Sequence, residues 1–275
     1  MSQYASAAYC SNNFNSPGDQ IQCGSGNCPL VEQADSATVL EYSKTETLTD
    51  VTGFVAVDHT NAAIVVSFRG SQSLDNWLTN LDFGFTSTDI CDGCTAHSGF
   101  WESWVDAQGS VVTAVTAAAT KYPAYKISVT GHSLGGAIAP FAAAQLRNQG
   151  LSVALYTFGS PRIAGTKLSS YITNQSGGNY RITHWNDPVP RVPLLTMGYV
   201  HISPEYYINK KNKVAIAESD FKVYEGAINL MGNAAWLLTD LEAHRWYFTQ
   251  MYTCADMKQK RGLDELEGVD IVAKF

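Results

Sequence analysis

The stretch Lys126-Ile127-Ser128-Val129-Thr130-Gly131-His132-Ser133-Leu134-Gly135-Gly136-Ala137 decides how this chain reads. Its first five residues have the β-branched and polar mix of a strand. Gly131-His132-Ser133-Leu134-Gly135 fits the pattern G-x-S-x-G, and a helix-like run of small residues follows over Ser133–Asn148. Strand, sharp turn and helix together are the setting of a nucleophile elbow. The chemistry needs these residue types. A serine on a strained turn leaves no room for side chains two positions away, and the glycines at 131 and 135 remove them. The helix N-terminus adds N–H groups and a positive dipole end, which favour developing negative charge. A Gly/Ser-rich turn that merely connects strand to helix fits the bare pattern but not this context. His132 shares the turn, yet neighbouring side chains on a sharp turn point apart, so it reads as packing beside the elbow.

Outward from the elbow, strand-like runs occur at Val51–Val57, Ala63–Arg69, Val153–Phe158, Tyr180–His184 and Tyr199–Ile208. A helix-like run rich in Ala and Val lies at Gly109–Tyr122. Alternation of strand and helix predicts an α/β domain around a mostly parallel sheet. The chain has 275 residues and no Pro/Gly/Ser-rich linker, so one domain over 1–254 is expected. The charged segment 255–275 reads as a C-terminal extension, mobile or cleaved at Lys260-Arg261. Charged residues are only 16% and aromatics 11%, which excludes disorder. A net charge of −7 argues against nucleic acid as a partner. The weakly apolar Leu134–Ala144 is too short to span a bilayer.

A serine nucleophile of this kind takes its partners in the order Ser, acid, His. Of the six histidines, only His201 and His244 follow both Ser133 and a good acid. That acid is Asp187, just past the strand-like Tyr180–His184, where a loop leaves the carboxyl end of a parallel strand. His201 sits in an alternating run and reads as structural. His244, in Glu242-Ala243-His244-Arg245-Trp246-Tyr247-Phe248, is the expected base.

Six cysteines remain. Cys23 and Cys28 flank a tight Gly-containing loop, Cys91 and Cys94 form C-x-x-C, and Cys10 and Cys254 are left over. Free thiols and a metal site are the alternatives to disulfides, but one isolated C-x-x-C is a poor zinc signal. Two local pairs and one long-range clasp are the simplest of the possible pairings. The opening Met1-Ser2-Gln3-Tyr4-Ala5 has neither a basic start nor an apolar run, so no secretory signal is read in this sequence.

Several motifs together make the match specific. They are Ser67-Phe68-Arg69-Gly70-Ser71, His97-Ser98-Gly99-Phe100, the elbow, Tyr156-Thr157-Phe158-Gly159-Ser160-Pro161-Arg162, Arg181-Ile182-Thr183-His184 with Asp187-Pro188-Val189-Pro190-Arg191, and Ala243-His244-Arg245-Trp246-Tyr247-Phe248. In this order the chain resembles the fungal class 3 lipases. The resemblance implies an α/β-hydrolase fold, a single domain with a central mostly parallel sheet, flanking helices and a short helical lid. It implies Ser133, Asp187 and His244 as a triad, with Ser71 and the N–H of Leu134 as the oxyanion hole. It implies the pairings Cys10–Cys254, Cys23–Cys28 and Cys91–Cys94, and a secreted enzyme. Pro188, Val189 and Val192 fall in the family's acyl groove.

Leu74, Trp77, Leu78 and Leu81 stand at i, i+3, i+4 and i+7, one face of a short amphipathic helix after Ser71. An ordinary core helix has the same pattern, but the position resembles the family's lid. The expected reaction is hydrolysis of triacylglycerol esters at an oil–water interface without a cofactor or metal. Phospholipase A1 and feruloyl esterase are the alternatives, and Arg245 keeps a charged head group among the substrates. Asn174 opens an N-x-S sequon and is a candidate for glycosylation.

Overall fold

A computed structural model describes residues 1–43, 49–74 and 83–255. Eight strands form the main sheet: β1 (Ser36–Tyr42), β2 (Gly53–Asp58), β3 (Ala63–Phe68), β4 (Lys126–His132), β5 (Val153–Phe158), β6 (Asn179–His184), β7 (Glu205–Ile208) and β8 (Phe221–Tyr224). They lie side by side in chain order. The neighbours from β3 to β7 are parallel, while β1–β2, β2–β3 and β7–β8 are antiparallel.

This order fixes the layers. Each parallel step advances in one direction, and right-handed crossovers then place the connecting helices on one face. Helices Ser98–Lys121, Leu134–Asn148 and Thr166–Asn174 make these connections. Ile64, Val66 and Phe68 of β3 point into their core with Trp104, Val111, Ile138, Phe141 and Leu168. Val65, one residue out of phase, faces the other side and meets Tyr4, Ala7, Phe54 and Ala56. The N-terminal helix Ser2–Ala7 covers that second face, and a small cluster of Ala5, Phe158, Ile182, Ile208, Tyr247 and Met251 joins it to the segment 247–251.

The structure departs from sequence expectation in several places, the unexpected helices Ser2–Ala7 and Thr166–Asn174 among them. The helix expected from Gly109 begins at Ser98 and carries Gly109 in its interior. Burial of Phe100, Trp101, Trp104 and Ala107 outweighs the weak propensity of Gly99 and Gly109. The strand expected over Tyr199–Ile208 begins only at Glu205, because Pro204 has no N–H for a ladder. Strands β1 and β8 were not expected as strands. Pairing along β2 and β7 stabilises them, and β1 carries a bulge between Thr38 and Leu40.

All six cysteines pair as Cys10–Cys254, Cys23–Cys28 and Cys91–Cys94. The first joins positions 244 residues apart and closes almost the whole chain. Of the expected extension, Ala255 is buried beside Tyr9, Leu74, Val189 and Tyr252, and 256–275 lie outside the described residues. No described helix is long and apolar enough to cross a membrane, and no described His, Cys, Asp and Glu side chains cluster as metal ligands.

Candidate functional site

The elbow is a steric construction. Ser133 has φ +57° and ψ −123°, a region an L residue enters only under constraint. A Cβ on Gly131 would lie 2.2 Å from the carbonyl oxygen of Gly135. A Cβ on Gly135 would lie 2.1 Å from that of Phe68. Both glycines let backbones touch where the strand turns into the helix. The Ser133 N–H bonds the Phe158 carbonyl at 2.9 Å, which ties the turn to β5. Leu134 begins the helix, so its N–H has no intrahelical carbonyl to meet.

Asp187 follows the end of β6 and is fully buried. Its Oδ1 accepts the N–H of Val189 at 2.8 Å. Its Oδ2 accepts two donors, His244 Nδ1 at 2.8 Å and the Tyr247 hydroxyl at 2.5 Å. The carboxylate at Nδ1 fixes the proton there and leaves a lone pair on Nε2. His244 Nε2 and Ser133 Oγ are both sealed from solvent and make no hydrogen bond among the described residues. Acyl transfer by a serine and a histidine passes a proton from such an Oγ to such an Nε2. Gly159 flanks the pair at φ +59°, where a Cβ would sit 2.9 Å from the His244 ring.

Two other histidines grip the backbone of the His244 segment. His132 Nε2–H donates to the His244 carbonyl at 2.7 Å, while its Nδ1 accepts the Tyr9 hydroxyl at 2.7 Å. His184 Nδ1–H donates to the Ala243 carbonyl at 2.9 Å. Burial holds both imidazoles below their ordinary value of 6.5; for His132 the adjacent His244 adds to the effect. Burial likewise raises the Tyr247 phenol well above its ordinary range, with the Asp187 carboxylate adding to it. All three groups therefore stay uncharged around the candidate base.

The remaining expected residues divide. Gly70 is packed on the elbow, where a Cβ would be 3.0 Å from Ser133 Cβ, so Ser71 follows directly at the site's edge. The Ser71 hydroxyl donates within its own turn to the Ser73 carbonyl at 3.2 Å, and the Tyr252 hydroxyl donates to the Ser71 carbonyl. Val189 is fully buried against Leu74 and Tyr9, whereas Pro188 and Val192 are half-buried. Trp77, Leu78 and Leu81 of the expected lid lie outside the described residues; Leu74 is buried. Arg245 pairs with Glu242 at 3.3 Å and lies over the Tyr252 ring. His201 donates to the Pro190 carbonyl at 2.7 Å, a structural contact. Asn174 is exposed at the end of its helix.

Residues 65–197 match the model of the lipase (class 3) family, and residues 2–41 match its lipase 3 N-terminal region. A secreted mono- and diacylglycerol lipase A from Penicillium cyclopium is 46% identical over 90% of this chain and 83% of its own length. The chain belongs to the fungal class 3 lipase family. A secreted mono- and diacylglycerol lipase 1 from Fusarium solani is 45% identical over 92% of this chain and 75% of its own. The crystal structure of a mono- and diacylglycerol lipase from Aspergillus oryzae superposes with a TM-score of 0.88 at 46% identity, covering 92% of this chain and 96% of that one. Membership accounts for the α/β-hydrolase arrangement of the sheet.

Sequence reading of this family member passed over Tyr9, His184 and Tyr247 as working parts of the site. His184 and Tyr247 stood inside quoted motifs, and that adjacency was the available signal. Tyr9 is 123 residues from the histidine it bonds, so only the fold joins them.

Proposed function

We propose that this protein is a secreted carboxylic ester hydrolase acting on acylglycerols through a Ser133 acyl-enzyme. The observation that carries the reading is the Asp187–His244 pair. It leaves the Nε2 lone pair uncommitted, and the buried Ser133 hydroxyl likewise has no hydrogen-bond partner among the described residues. His244 takes the Ser133 proton as Oγ attacks the ester carbonyl. The oxyanion is met by the free N–H of Leu134, with Ser71 as the second donor after its hydroxyl turns from the Ser73 carbonyl. One such donor is worth about 3 kcal/mol of transition-state stabilisation. The protonated His244 then passes its proton to the leaving alcohol, and water hydrolyses the acyl-enzyme. Tyr247 and the Val189 N–H hold Asp187 in place throughout.

Triacylglycerols are the substrate expected from sequence. Relatives at 45–46% identity are named for mono- and diacylglycerols, which supports placing the partial glycerides first. Ser133 has no solvent exposure, so substrate entry requires a cover to move, in keeping with the lid expected beside Ser71. The test is an initial-rate profile over mono-, di- and triacylglycerol, phosphatidylcholine and methyl ferulate, for the parent and Ser133→Ala. Acylglycerol hydrolysis that Ser133→Ala abolishes, with an unchanged far-UV spectrum, is expected. Full activity in that variant, or preference for the ferulate, overturns the reading.

A further inference from the structure

The segment before His244 carries an apolar feature that the chemistry does not use. Leu237 is 96% exposed and Leu238 81%. Single exposed leucines are ordinary, but two adjacent ones standing almost wholly in water are not. Their backbone is held. Asn186, next to Asp187, donates to the Leu238 carbonyl at 3.3 Å and accepts the Asp240 N–H at 3.2 Å. Trp236, immediately before the pair, donates to the Tyr207 hydroxyl at 2.7 Å and packs edge-on against Trp185. The leucines thus project from the rim that carries both the candidate acid and the candidate base.

The surroundings indicate the kind of partner. Asn212 donates to the Asp240 carboxylate at 3.1 Å, which brings its turn beside the pair. Lys211 and Lys213 on that turn are exposed, in a chain whose net charge is −7. Leucine outermost, half-buried tryptophan behind it and lysine at the sides is the composition of a segment that enters a lipid surface.

We infer that Leu237 and Leu238 form an interfacial anchor that inserts into the acyl layer of a lipid aggregate and turns the Asp187–His244 rim towards it. The anchor is exposed in water and does not depend on lid movement. This inference rests on the proposed action on acylglycerols, with the experiment chosen to separate the two.

Binding to phosphatidylcholine vesicles containing diacylglycerol is measured in a Ser133→Ala background, which removes turnover. Leu237→Ser with Leu238→Ser is expected to weaken vesicle partitioning about tenfold or more. The same double substitution in the active enzyme leaves hydrolysis of a dissolved short-chain ester within about twofold, because neither side chain packs on the fold. A Leu237→Trp, Leu238→Trp variant is expected to bind several times more tightly, and it supplies a second readout if the serine variant fails to fold. Partitioning unchanged by both variants overturns the anchor. So does a concentration-dependent dimer in lipid-free buffer that the serine variant abolishes, since the occupant is then a second copy. Loss of vesicle binding in the serine variant supports the anchor even where the parent hydrolyses no ester, a result that overturns the proposed function instead.

Discussion

Acidification is expected to destabilise this protein through its buried histidines. His132, His184 and His201 are all held below the ordinary histidine value of 6.5, chiefly by burial; at His201 the nearby Arg181 and Arg162 add repulsion. A group whose folded pKa is depressed contributes fully above its unfolded pKa and loses that contribution as pH falls towards the folded one. Between pH 7.5 and 5.5 an unfolded histidine passes from about one-tenth to nine-tenths protonated, while its folded counterpart stays neutral. Each such site then removes about 1.4 kcal/mol of stability. His132 and His201 are held well below 6.5 and are assigned that full amount. His184, lowered less because its bond to the Ala243 carbonyl and the nearby Asp187 oppose burial, adds less, so the total is about 3–4 kcal/mol. That is a large share of the roughly 5–15 kcal/mol that stabilises an ordinary domain. Urea unfolding with the disulfides intact, at pH 7.5, 6.5 and 5.5, measures it. His132→Gln should flatten the pH dependence by about one-third, whatever it does to stability at pH 7.5. A loss under about 1 kcal/mol across that range would refute the reasoning, because it means fewer than one proton is taken up on unfolding.

Two further outcomes follow from the same geometry. Tyr247→Phe removes one of the two donors on Asp187 Oδ2 and should cost about 1.5–3 kcal/mol of stability. Turnover should fall about tenfold as the Asp187–His244 geometry loosens, with little change in KM for a dissolved ester; a thermal melt and steady-state kinetics report both. Cys10→Ser with Cys254→Ser opens the 244-residue loop and should cost about 5 kcal/mol on the loop-entropy model, read as a lower urea midpoint. An unchanged midpoint excludes the clasp as a stabilising element.

Local features were legible in the sequence because their causes are local. The elbow needs glycine at 131 and 135 because the backbone passes within 2.2 Å of where their side chains would stand, and that need is written into five consecutive residues. Strand β5 was read with its observed ends, Val153–Phe158, since it is a short apolar run bounded by turn residues. The order Ser133, Asp187, His244 rests on the hydrolase order Ser, acid, His, on the strand-end position of Asp187 and on the family resemblance. The meeting of Asp187 and His244 at 2.8 Å joins the loop after β6 to the short helix Leu241–His244, whose backbone His132 and His184 hold beside it. Where side chains compete with propensity, sequence reading was weaker. Buried tryptophans extend the helix back to Ser98, and Pro204 delays β7.

By itself the sequence determined the elbow, the α/β alternation and the chemical types available at the site. Periodicity and short-range sterics act between residues a few positions apart, so they survive in the one-dimensional string. The tertiary structure alone decided that Tyr247 shares the Asp187 oxygen with His244. It alone decided that His132 and His184 hold the backbone of that segment, and that Leu237 and Leu238 stand in water on the same rim. Each of these depends on which strands lie side by side and which face a crossover covers. Those are properties of packing between segments far apart in the chain, and no local pattern encodes them.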